Sequence, residues 1–327
     1  MPNFSTYANF AGALTGDGVV GELERRFTAL LHGKLRCLSM INATSALAAL
    51  LSCLPRGRII APLFTSPATY AAIRHAGHEA VFCDIDPVSA CLSPFEAERR
   101  LDRDVRAIIT VNIFGHPGHL IRLRELARGT GAMLIVDAAQ SLGSCLGNPE
   151  SVCLADAVVF SLGPAKLTGC ADGGMVAVRE AELWEQLVLK TQHTYRQMLD
   201  VPARAPDFEH YNYRINPHSA ARALHQLKYV GEKLARIRKR QQRLISRLER
   251  CGQFEPLPHS PGILFEPLTA LPLKEEVEGW VLHELPIPDR LQAVVEHQLP
   301  ETLRQFRYRK VVLPVKINIK MRRQQER

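Results

Sequence analysis

AVVFSLGPAK, residues 157–166, joins an apolar strand-like run to a Gly/Pro turn that ends at a lysine, Lys166. A second apolar run follows at residues 175–178. An ordinary lysine lies on a solvated surface, whereas one held in a tight turn between two apolar runs can have its pKa lowered by burial and act as an amine nucleophile. The stretch therefore indicates two buried strands with a reactive lysine between them.

A carboxylate stands upstream at the end of another apolar run, in LIVDAAQ, residues 134–140. Pyridoxal phosphate needs two electronic partners from a protein: a lysine that carries it as a Schiff base, and an acid that keeps its pyridine nitrogen protonated. Lys166 and Asp137 together therefore suggest this cofactor. The alternative for Asp137 is a helix cap, which is a common role for a carboxylate at the end of a strand.

A third candidate is the small, hydroxyl-rich segment INATSAL, residues 41–47, which opens a helix of Ala and Leu. Backbone N–H groups at a helix N-terminus, together with the hydroxyls of Thr44 and Ser45, can hold a phosphate group. The alternative is a plain helix cap, which would use one hydroxyl and leave the other idle. Both roles are open from the sequence alone.

The order of the elements predicts an α/β architecture. Segments of strand character alternate with helical ones from Arg58 to Val178, which favours a mainly parallel sheet flanked by helices. A first helix, ended by Gly33, is indicated by apolar residues that share one face: Val20, Leu23, Phe27, Leu30 and Leu31. A Pro-rich connector at residues 256–262 predicts a boundary between a large domain, 1–250, and a small C-terminal domain, 251–327.

Several segments in chain order resemble the DegT/DnrJ/StrS family of pyridoxal-phosphate sugar aminotransferases, from near the N-terminus to about Arg250. They are residues 15–24, 42–47, 58–69, 81–87, 107–117, 134–143, the lysine segment, and 211–227. The resemblance implies the fold type I of pyridoxal-phosphate-dependent transferases. This fold has a large domain with a mainly parallel sheet flanked by helices, and a small α+β domain at the C-terminus.

The resemblance also implies roles for individual residues around the cofactor ring. Lys166 would form the Schiff base, or aldimine, and act as the catalytic base. Asp137 would lie at the pyridine nitrogen, and Gln140 would bind the ring hydroxyl. Retention of Lys166 favours transamination over the family's dehydratase branch, which has a histidine in its place.

The cofactor phosphate would be held by Thr44, Ser45 and Ser161, again as the resemblance implies. In the family an asparagine from the partner subunit also reaches the phosphate, and Asn212 is the candidate here. The expected functional unit is therefore a homodimer with shared active sites. The alternative for Asn212 is an ordinary turn residue.

Two positions depart from the family pattern. An aromatic ring commonly covers the cofactor where this chain has Ser66, and Phe64 is the nearby candidate to replace it. The family's Gly-Glu-Gly-Gly after the lysine reads Ala171-Asp172-Gly173-Gly174 here. These departures bear on substrate choice and efficiency.

The formal net charge of +8 over 327 residues is concentrated in the stretch 233–250 and in the tail 304–327. A positive surface favours an anionic substrate such as a nucleotide diphosphate sugar. The charge is equally open to a reading unrelated to the site, in which the stretch from residue 233 is a packed helix with a solvated basic face. The apolar stripe of that helix would consist of Leu234, Ile237, Leu244, Ile245 and Leu248. The same basic clusters could instead bind nucleic acid in a regulatory role. The scarcity of nearby aromatic residues, which would stack on bases, argues against that role.

The cysteines and the apolar runs bear on whether the protein binds a metal, spans a membrane or is secreted. The eight cysteines show no close CxxC pair, which argues against a metal site; they are Cys37, Cys53, Cys83, Cys91, Cys145, Cys153, Cys170 and Cys251. No apolar run reaches the length of about 20 residues that crosses a bilayer, and the N-terminus does not read as a secretion signal. A cytoplasmic enzyme without a membrane partner is expected.

The sequence as a whole predicts amino transfer from an amino acid, glutamate or glutamine by family analogy, to a keto-sugar that is nucleotide-linked. A cyclitol aminotransferase and a different pyridoxal-phosphate reaction are the alternatives among enzymes. A catalytically degenerate cofactor-binding protein, or a nucleic-acid-binding regulator, is the alternative from another class.

Overall fold

The computed structural model describes residues 14–86, 89–149 and 152–239, together with three short strands nearer the C-terminus. The predicted domain boundary near residue 250 and the Pro-rich connector lie outside the described residues, as does most of the basic tail. The three C-terminal strands form an antiparallel sheet in the order β8-β10-β9. They are β8 (Leu268–Thr269), β9 (Trp280–His283) and β10 (Lys310–Pro314).

A seven-stranded sheet in the order β1-β7-β6-β5-β4-β2-β3 organises the large domain. Its strands are β1 (Arg36–Met40), β2 (Arg58–Pro62), β3 (Glu79–Cys83), β4 (Val105–Val111), β5 (Met133–Asp137), β6 (Ala157–Ser161) and β7 (Gly174–Val178). All neighbours pair in parallel except β7, which runs antiparallel to both β6 and β1. The predicted mainly parallel sheet is confirmed.

Helices connect the strands and cover both faces of the sheet. They are α1 (Gly18–Leu30), α2 (Ala43–Ser52), α3 (Pro67–His75), α4 (Pro94–Arg100), α5 (Leu120–Thr130), α6 (Leu142–Gly147), α7 (Ala181–Thr191), α8 (Thr194–Asp200) and α9 (Pro217–Lys228). Residues 230–239 are also helical. No described helix is both long and apolar enough to span a membrane.

The sheet is buried on both faces, which is why its central strands read as unbroken apolar runs. Side chains alternate between the two faces, so that Val159 belongs to the core layer that contains residues of α2, α3 and α7, while Val158 belongs to the layer that contains residues of α1, α5 and α9. The predicted apolar face of α1 lies in the second of these layers, where Phe27 meets Phe160 with ring centroids 5.9 Å apart.

A buried ion-pair network ties α1 to β1 and α8. The Arg196 guanidinium donates to Glu24 at 2.6 and 3.1 Å and to Asp200 at 2.9 Å, and it is 3% exposed. Glu24 also accepts from the backbone N–H and the hydroxyl of Ser39, at 2.9 and 2.6 Å. Gly16 has φ +77, a conformation that side chains disfavour, and a Cβ there would lie 2.5 Å from the guanidinium, so both the backbone and the ion pair favour glycine.

We expect Arg196→Met to lower the free energy of unfolding by about 3–5 kcal/mol, because it leaves the Glu24 carboxylate buried without its cationic partner. Urea unfolding of the purified variant measures this. The matched control is Arg204→Met, since Arg204 forms half-exposed ion pairs at 3.3–3.4 Å with Glu182 and Glu185. Its loss should cost about 1 kcal/mol or less. Equal losses in the two variants would contradict a stabilising role for the buried network.

The basic helical stretch predicted from residue 233 onward is described only as far as residue 239. In that part Leu234 is buried, while Ile237 is 42% exposed. Ile237 therefore does not contribute to a buried stripe among the described residues. The other residues of the predicted stripe lie outside them.

Candidate active site

Three neighbouring strands end at the same edge of the sheet, and a cavity of about 230 Å³ opens there. Ligands of open α/β sheets commonly bind beyond the carboxyl ends of the strands. The last residues of β4, β5 and β6 (Val111, Asp137 and Ser161) all line this cavity. The N-terminal turns of α2 and α3 contribute its other walls.

Asp137 lies in the wall of the cavity and is 8% exposed. Its Oδ1 accepts from the N–H of Ala139 at 3.1 Å, and its Oδ2 accepts from the Thr69 hydroxyl at 3.0 Å. Thr69 in turn lies 2.9 Å from the Thr65 hydroxyl. Burial raises the pKa of Asp137 above its ordinary value, although Ala139, Thr69 and the Lys166 amine each act in the opposite direction. The carboxylate therefore lacks full compensation within the protein alone.

Lys166 reaches the same cavity from the turn that follows β6. The turn is closed by bonds from Lys166 N to Gly163 O at 3.0 Å and from Gly169 N to Lys166 O at 2.9 Å. Lys166 is half-buried, and burial lowers the pKa of its amine, an effect that the Asp137 carboxylate partly offsets. A larger fraction of this amine is neutral, and so nucleophilic, than for a lysine on the surface.

The start of α2 forms another wall of the cavity. The Asn42 side chain caps the helix and accepts from Ser45 N at 2.8 Å, so the cap is an asparagine and neither predicted hydroxyl. Thr44 lines the cavity together with Ala43, whereas Ser45 is not among the lining residues. The first turn of a helix leaves backbone N–H groups without intrahelical partners, which makes it suited to bind an anion.

The beginning of β7 supports this turn from behind. A Cβ added at Gly174 would lie 2.4–2.6 Å from the backbone of Asn42 and Ala43, so no other residue fits without moving α2. Gly173 has φ +142, a conformation that side chains disfavour. These contacts give a physical reason for the two glycines that follow the lysine turn, while Asp172 accepts from Gly173 N at 2.8 Å.

The remaining predicted residues divide between the cavity and the surface. Gln140 and Ser161 line the cavity with Lys166 and Asp137. Asn212 does not line it: its side chain is exposed and accepts from Arg214 Nε at 2.8 Å. The chain around Asn212 nevertheless runs beside the start of α2.

Hydrogen bonds fix that segment against the end of β1. Ile41 N donates to Tyr213 O at 2.7 Å, and Tyr213 N donates to Thr191 O at 3.1 Å. The rings of Tyr211 and Tyr213 stack with centroids 5.0 Å apart. Asn212 is thus exposed to solvent, in a segment that is bonded to the residue just before the start of α2 of its own chain.

Ser66 occupies the position where the DegT/DnrJ/StrS family commonly has an aromatic residue, and it caps helix α3. Ser66 lines the cavity and begins α3, where its hydroxyl accepts from Ala68 N at 3.3 Å. Phe64 packs against the hydrophobic core and is not among the lining residues. Phe64 thus packs against the core rather than lining this cavity, and its role as the replacement for the ring stays a prediction.

Sequence reasoning did not find Thr69. Its contact with Asp137 joins residues 68 positions apart, and a threonine inside a helix gives no local signal. Cys170, four residues after Lys166, is 1% exposed, and burial raises the pKa of its thiol. Its Sγ donates to Ser219 O at 3.4 Å, so it packs between the lysine turn and α9.

Comparison with known proteins identifies the family. The model of the DegT/DnrJ/EryC1/StrS aminotransferase family matches residues 10–264, which is more than half of the chain. The protein belongs to the DegT/DnrJ/EryC1/StrS aminotransferase family. The predicted resemblance is confirmed, and the cavity lies within the part of the chain that the family model covers.

Two curated members of the DegT/DnrJ/EryC1/StrS family illustrate the degree of similarity. The pleiotropic regulatory protein of Geobacillus stearothermophilus is 30% identical over 177 residues, which are 51% of this chain and 44% of that protein. The UDP-2-acetamido-2-deoxy-3-oxo-D-glucuronate aminotransferase of Pseudomonas aeruginosa is 33% identical over 168 residues, 50% of this chain and 46% of that protein. The chain spans about half the length of the curated relatives it matches.

A solved structure agrees over nearly the whole chain. The sugar aminotransferase CalS13 from Micromonospora echinospora has a TM-score of 0.73 at 19% identity, with 96% of this chain and 92% of that chain covered. At this identity the likeness shows the fold alone. It confirms the predicted fold type I of the pyridoxal-phosphate-dependent transferases for this DegT/DnrJ/EryC1/StrS family member.

Proposed function

We propose that this protein is a pyridoxal-phosphate-dependent aminotransferase that moves an amino group from an amino acid, glutamate or glutamine, to a keto-sugar linked to a nucleotide. The observation that carries the proposal is the meeting of Lys166 and Asp137 in one cavity beside the start of α2. Family membership supports it, since the matched model is that of an aminotransferase family.

The residues present fit the cofactor at each of its points of attachment. Lys166 offers an amine whose pKa burial lowers, which suits attack on an aldehyde. Asp137 offers a carboxylate whose pKa is raised by burial, and a protonated pyridine nitrogen beside it would favour its ionised form. Thr44, Ser161 and the first turn of α2 would hold the phosphate, and Gln140 would bind the ring hydroxyl.

When bound, pyridoxal phosphate supplies an electron sink for the carbanion formed at the donor's Cα. Lys166 would hold the cofactor through Nζ, and this amine, once the donor amine has released it, would serve as general base and general acid for the proton at the donor's Cα. Asp137 would keep the ring nitrogen protonated, and Thr69 donates to the carboxylate and fixes its position.

The acceptor class rests on the names of relatives and on charge. The Pseudomonas relative is named for a UDP-linked 3-oxo sugar acid, an anionic keto-sugar. The net charge of +8 favours such a substrate over a neutral one. A cyclitol ketone is the competing acceptor, since it offers the same carbonyl chemistry without the diphosphate.

Two half-reactions test the proposal with purified protein and added pyridoxal phosphate. We expect glutamate or glutamine to be consumed with release of its keto acid, and a nucleotide-linked keto-sugar then to be aminated in stoichiometric amount. Amination of a cyclitol ketone alone would replace the acceptor while keeping the reaction class. Failure of every amino acid to yield a keto acid would overturn the aminotransferase proposal.

Thr69→Val should raise the pKa of Asp137 further, because it removes the hydroxyl that donates to the carboxylate while keeping the shape of the side chain. Since Asp137 must be ionised to work, the acidic limb of the rate profile should move to higher pH. At a given pH on the acidic limb the rate should fall by about tenfold. Stopped-flow measurement of the first half-reaction over pH checks this. Thr69→Ser keeps the hydroxyl and should match the wild type; a Thr69→Val profile that also matches would remove Thr69 from the role.

The proposed functional unit is a homodimer, and exposed apolar residues near Asn212 support it. The outward face of α8 carries Tyr195, Met198 and Leu199, which are 54%, 50% and 61% exposed. Phe208, 81% exposed, follows in the chain before Asn212. Contiguous exposed apolar surface commonly marks an interface.

We expect Met198→Glu with Leu199→Glu to shift sedimentation toward the monomer and to weaken cofactor binding, because charges would be buried at the subunit contact. Ile121→Glu is the control, since Ile121 is 71% exposed on α5 rather than α8. A doubly charged variant that sediments as the wild type does would exclude this face from the interface.

A further inference from the structure

The turn that carries Lys166 is held by cationic side chains from distant parts of the chain. Lys233 Nζ donates to Leu167 O at 2.9 Å, and Arg222 Nε donates to Gly169 O at 2.6 Å. Leu167 and Gly169 stand one and three residues after Lys166. Their carbonyls are thus bound by donors from two different helical segments, α9 and residues 230–239.

Bonds within the turn fix its ends. Thr168 Oγ1 donates to Leu162 O at 2.9 Å, and Cys170 N donates to the same oxygen at 2.9 Å. Gly169 closes the turn with φ +56, in the left-handed region. The peptide groups that follow Lys166 therefore point toward the helices, where Arg222 and Lys233 meet them.

Lys233 is itself held in place. It is half-buried, its Nζ also donates to Gln226 Oε1 of α9, and the next residue, Leu234, is buried. The Cys170 contact with Ser219 O adds a further link between the turn and α9. Hydrogen bonds from charged donors are stronger than neutral ones, so both side chains can restrain the turn.

We propose that Lys233 and Arg222 are positioning residues for Lys166, and that through them the helix at residues 230–239 is coupled to the orientation of the reactive amine. This inference rests on the proposed function, since it assigns the two residues to the lysine that carries the cofactor. It extends that function to a segment leading into the C-terminal quarter of the sequence. Neither residue lines the cavity.

If the hydrogen bonds from Lys233 and Arg222 only stabilised the fold, a different result would be expected. Their loss would lower the unfolding temperature without changing the chemistry of Lys166. A positioning role requires the amine to change, because a looser turn admits water and removes part of the burial that lowers its pKa. The pH at which half of Lys166 reacts should then move upward, toward that of an ordinary lysine.

The test uses full-length Lys233→Met, Arg222→Met and the double variant, with two measurements. Hydrogen exchange of the peptide covering residues 163–170 should accelerate by about tenfold in Lys233→Met, the effect of losing one hydrogen bond from a charged donor. The pH midpoint of Lys166 labelling by pyridoxal phosphate and borohydride, located by mass spectrometry, should rise. The double variant should show the larger change in both.

Two controls isolate the contacts. Lys233→Arg keeps a cationic donor and should retain most of the wild-type midpoint, and Lys228→Met removes one charge from an exposed position at the end of α9 and should change nothing. Unchanged exchange and midpoint in the double variant, with the wild type labelled normally, would overturn the inference alone. Failure to label Lys166 in the wild type would instead overturn the proposed function.

Discussion

Lys166→Ala should abolish amino transfer, with a loss of at least about 10⁴-fold, because it removes both the attachment point of the cofactor and the base that moves the Cα proton. The amine lies in the cavity with its pKa lowered by burial, and Asp137 lines the same cavity. Production of keto acid from glutamate, followed in a single turnover, measures the loss. Cofactor binding itself should persist in the variant, since the phosphate and ring contacts come from other residues.

Lys228→Ala provides the control for Lys166→Ala, since Lys228 is an exposed lysine at the end of α9. It should retain full activity and full borohydride-stable attachment of the cofactor. If Lys166→Ala also retained full activity, another amine would be the reactive one and the mechanism would be wrong.

Asp137→Asn should slow removal of the Cα proton by about 10²-fold or more, because an amide cannot keep the ring nitrogen protonated by charge. The change keeps the size of the side chain and an oxygen that can accept from Thr69. Stopped-flow measurement of the first half-reaction, with and without an isotope label at the donor's Cα, isolates this step. Unchanged kinetics would remove Asp137 from its role.

The same variant should stabilise the protein in the absence of cofactor. Burial raises the folded-state pKa of Asp137 above its unfolded value, so the folded state favours the protonated carboxyl. That contribution is fully present below the unfolded pKa of about 3.9 and is lost as pH rises through the folded value. Near neutral pH the apo form of Asp137→Asn should therefore melt higher than the wild type, and the gap should close in acid.

Bound cofactor should reverse this order, because the positive ring nitrogen neutralises Asp137 in the wild type and not in the variant. Thermal melts of both proteins, with and without pyridoxal phosphate, give all four values. A cofactor-free wild type that is more stable than Asp137→Asn at neutral pH would contradict an uncompensated charge at this position.

Much of the fold could be predicted because its signals are local. The apolar runs that end at Asp137 and Ser161 identified the central strands, and the Gly/Pro turn placed Lys166 after one of them. In a parallel sheet the carboxyl ends of neighbouring strands meet at one edge, so two separate runs were enough to bring the lysine and the carboxylate together.

The parts that escaped prediction depend on contacts between distant residues. The Arg196 and Glu24 pair spans 172 positions, and the bond from Thr69 to Asp137 spans 68. The sequence left Thr44 and Ser45 open as either a helix cap or a phosphate site, whereas Asn42, two residues before Thr44, is the residue that caps α2. The direction of the Phe64 side chain likewise could not be predicted from the sequence, because it depends on how the core packs.

The make-up of the cavity wall around Ser66 also becomes clear only from the three-dimensional contacts. Ser66 leaves a small side chain where family members commonly carry a ring, and the neighbouring lining residues Thr65 and Thr69 are also small and bear hydroxyls. This wall offers hydrogen-bonding groups to whatever lies against it. Restoring a ring with Ser66→Phe is thus a direct way to ask how the departure affects substrate choice.

Reduction with borohydride in the presence of pyridoxal phosphate, followed by peptide mass spectrometry, tests the central claim most directly. The account predicts a visible absorption band before reduction that disappears afterwards, with the cofactor mass found on the peptide that contains Lys166. Pretreatment with glutamate should prevent the labelling, because the donor amine displaces the lysine. The absence of the band together with an unlabelled Lys166 would contradict the account.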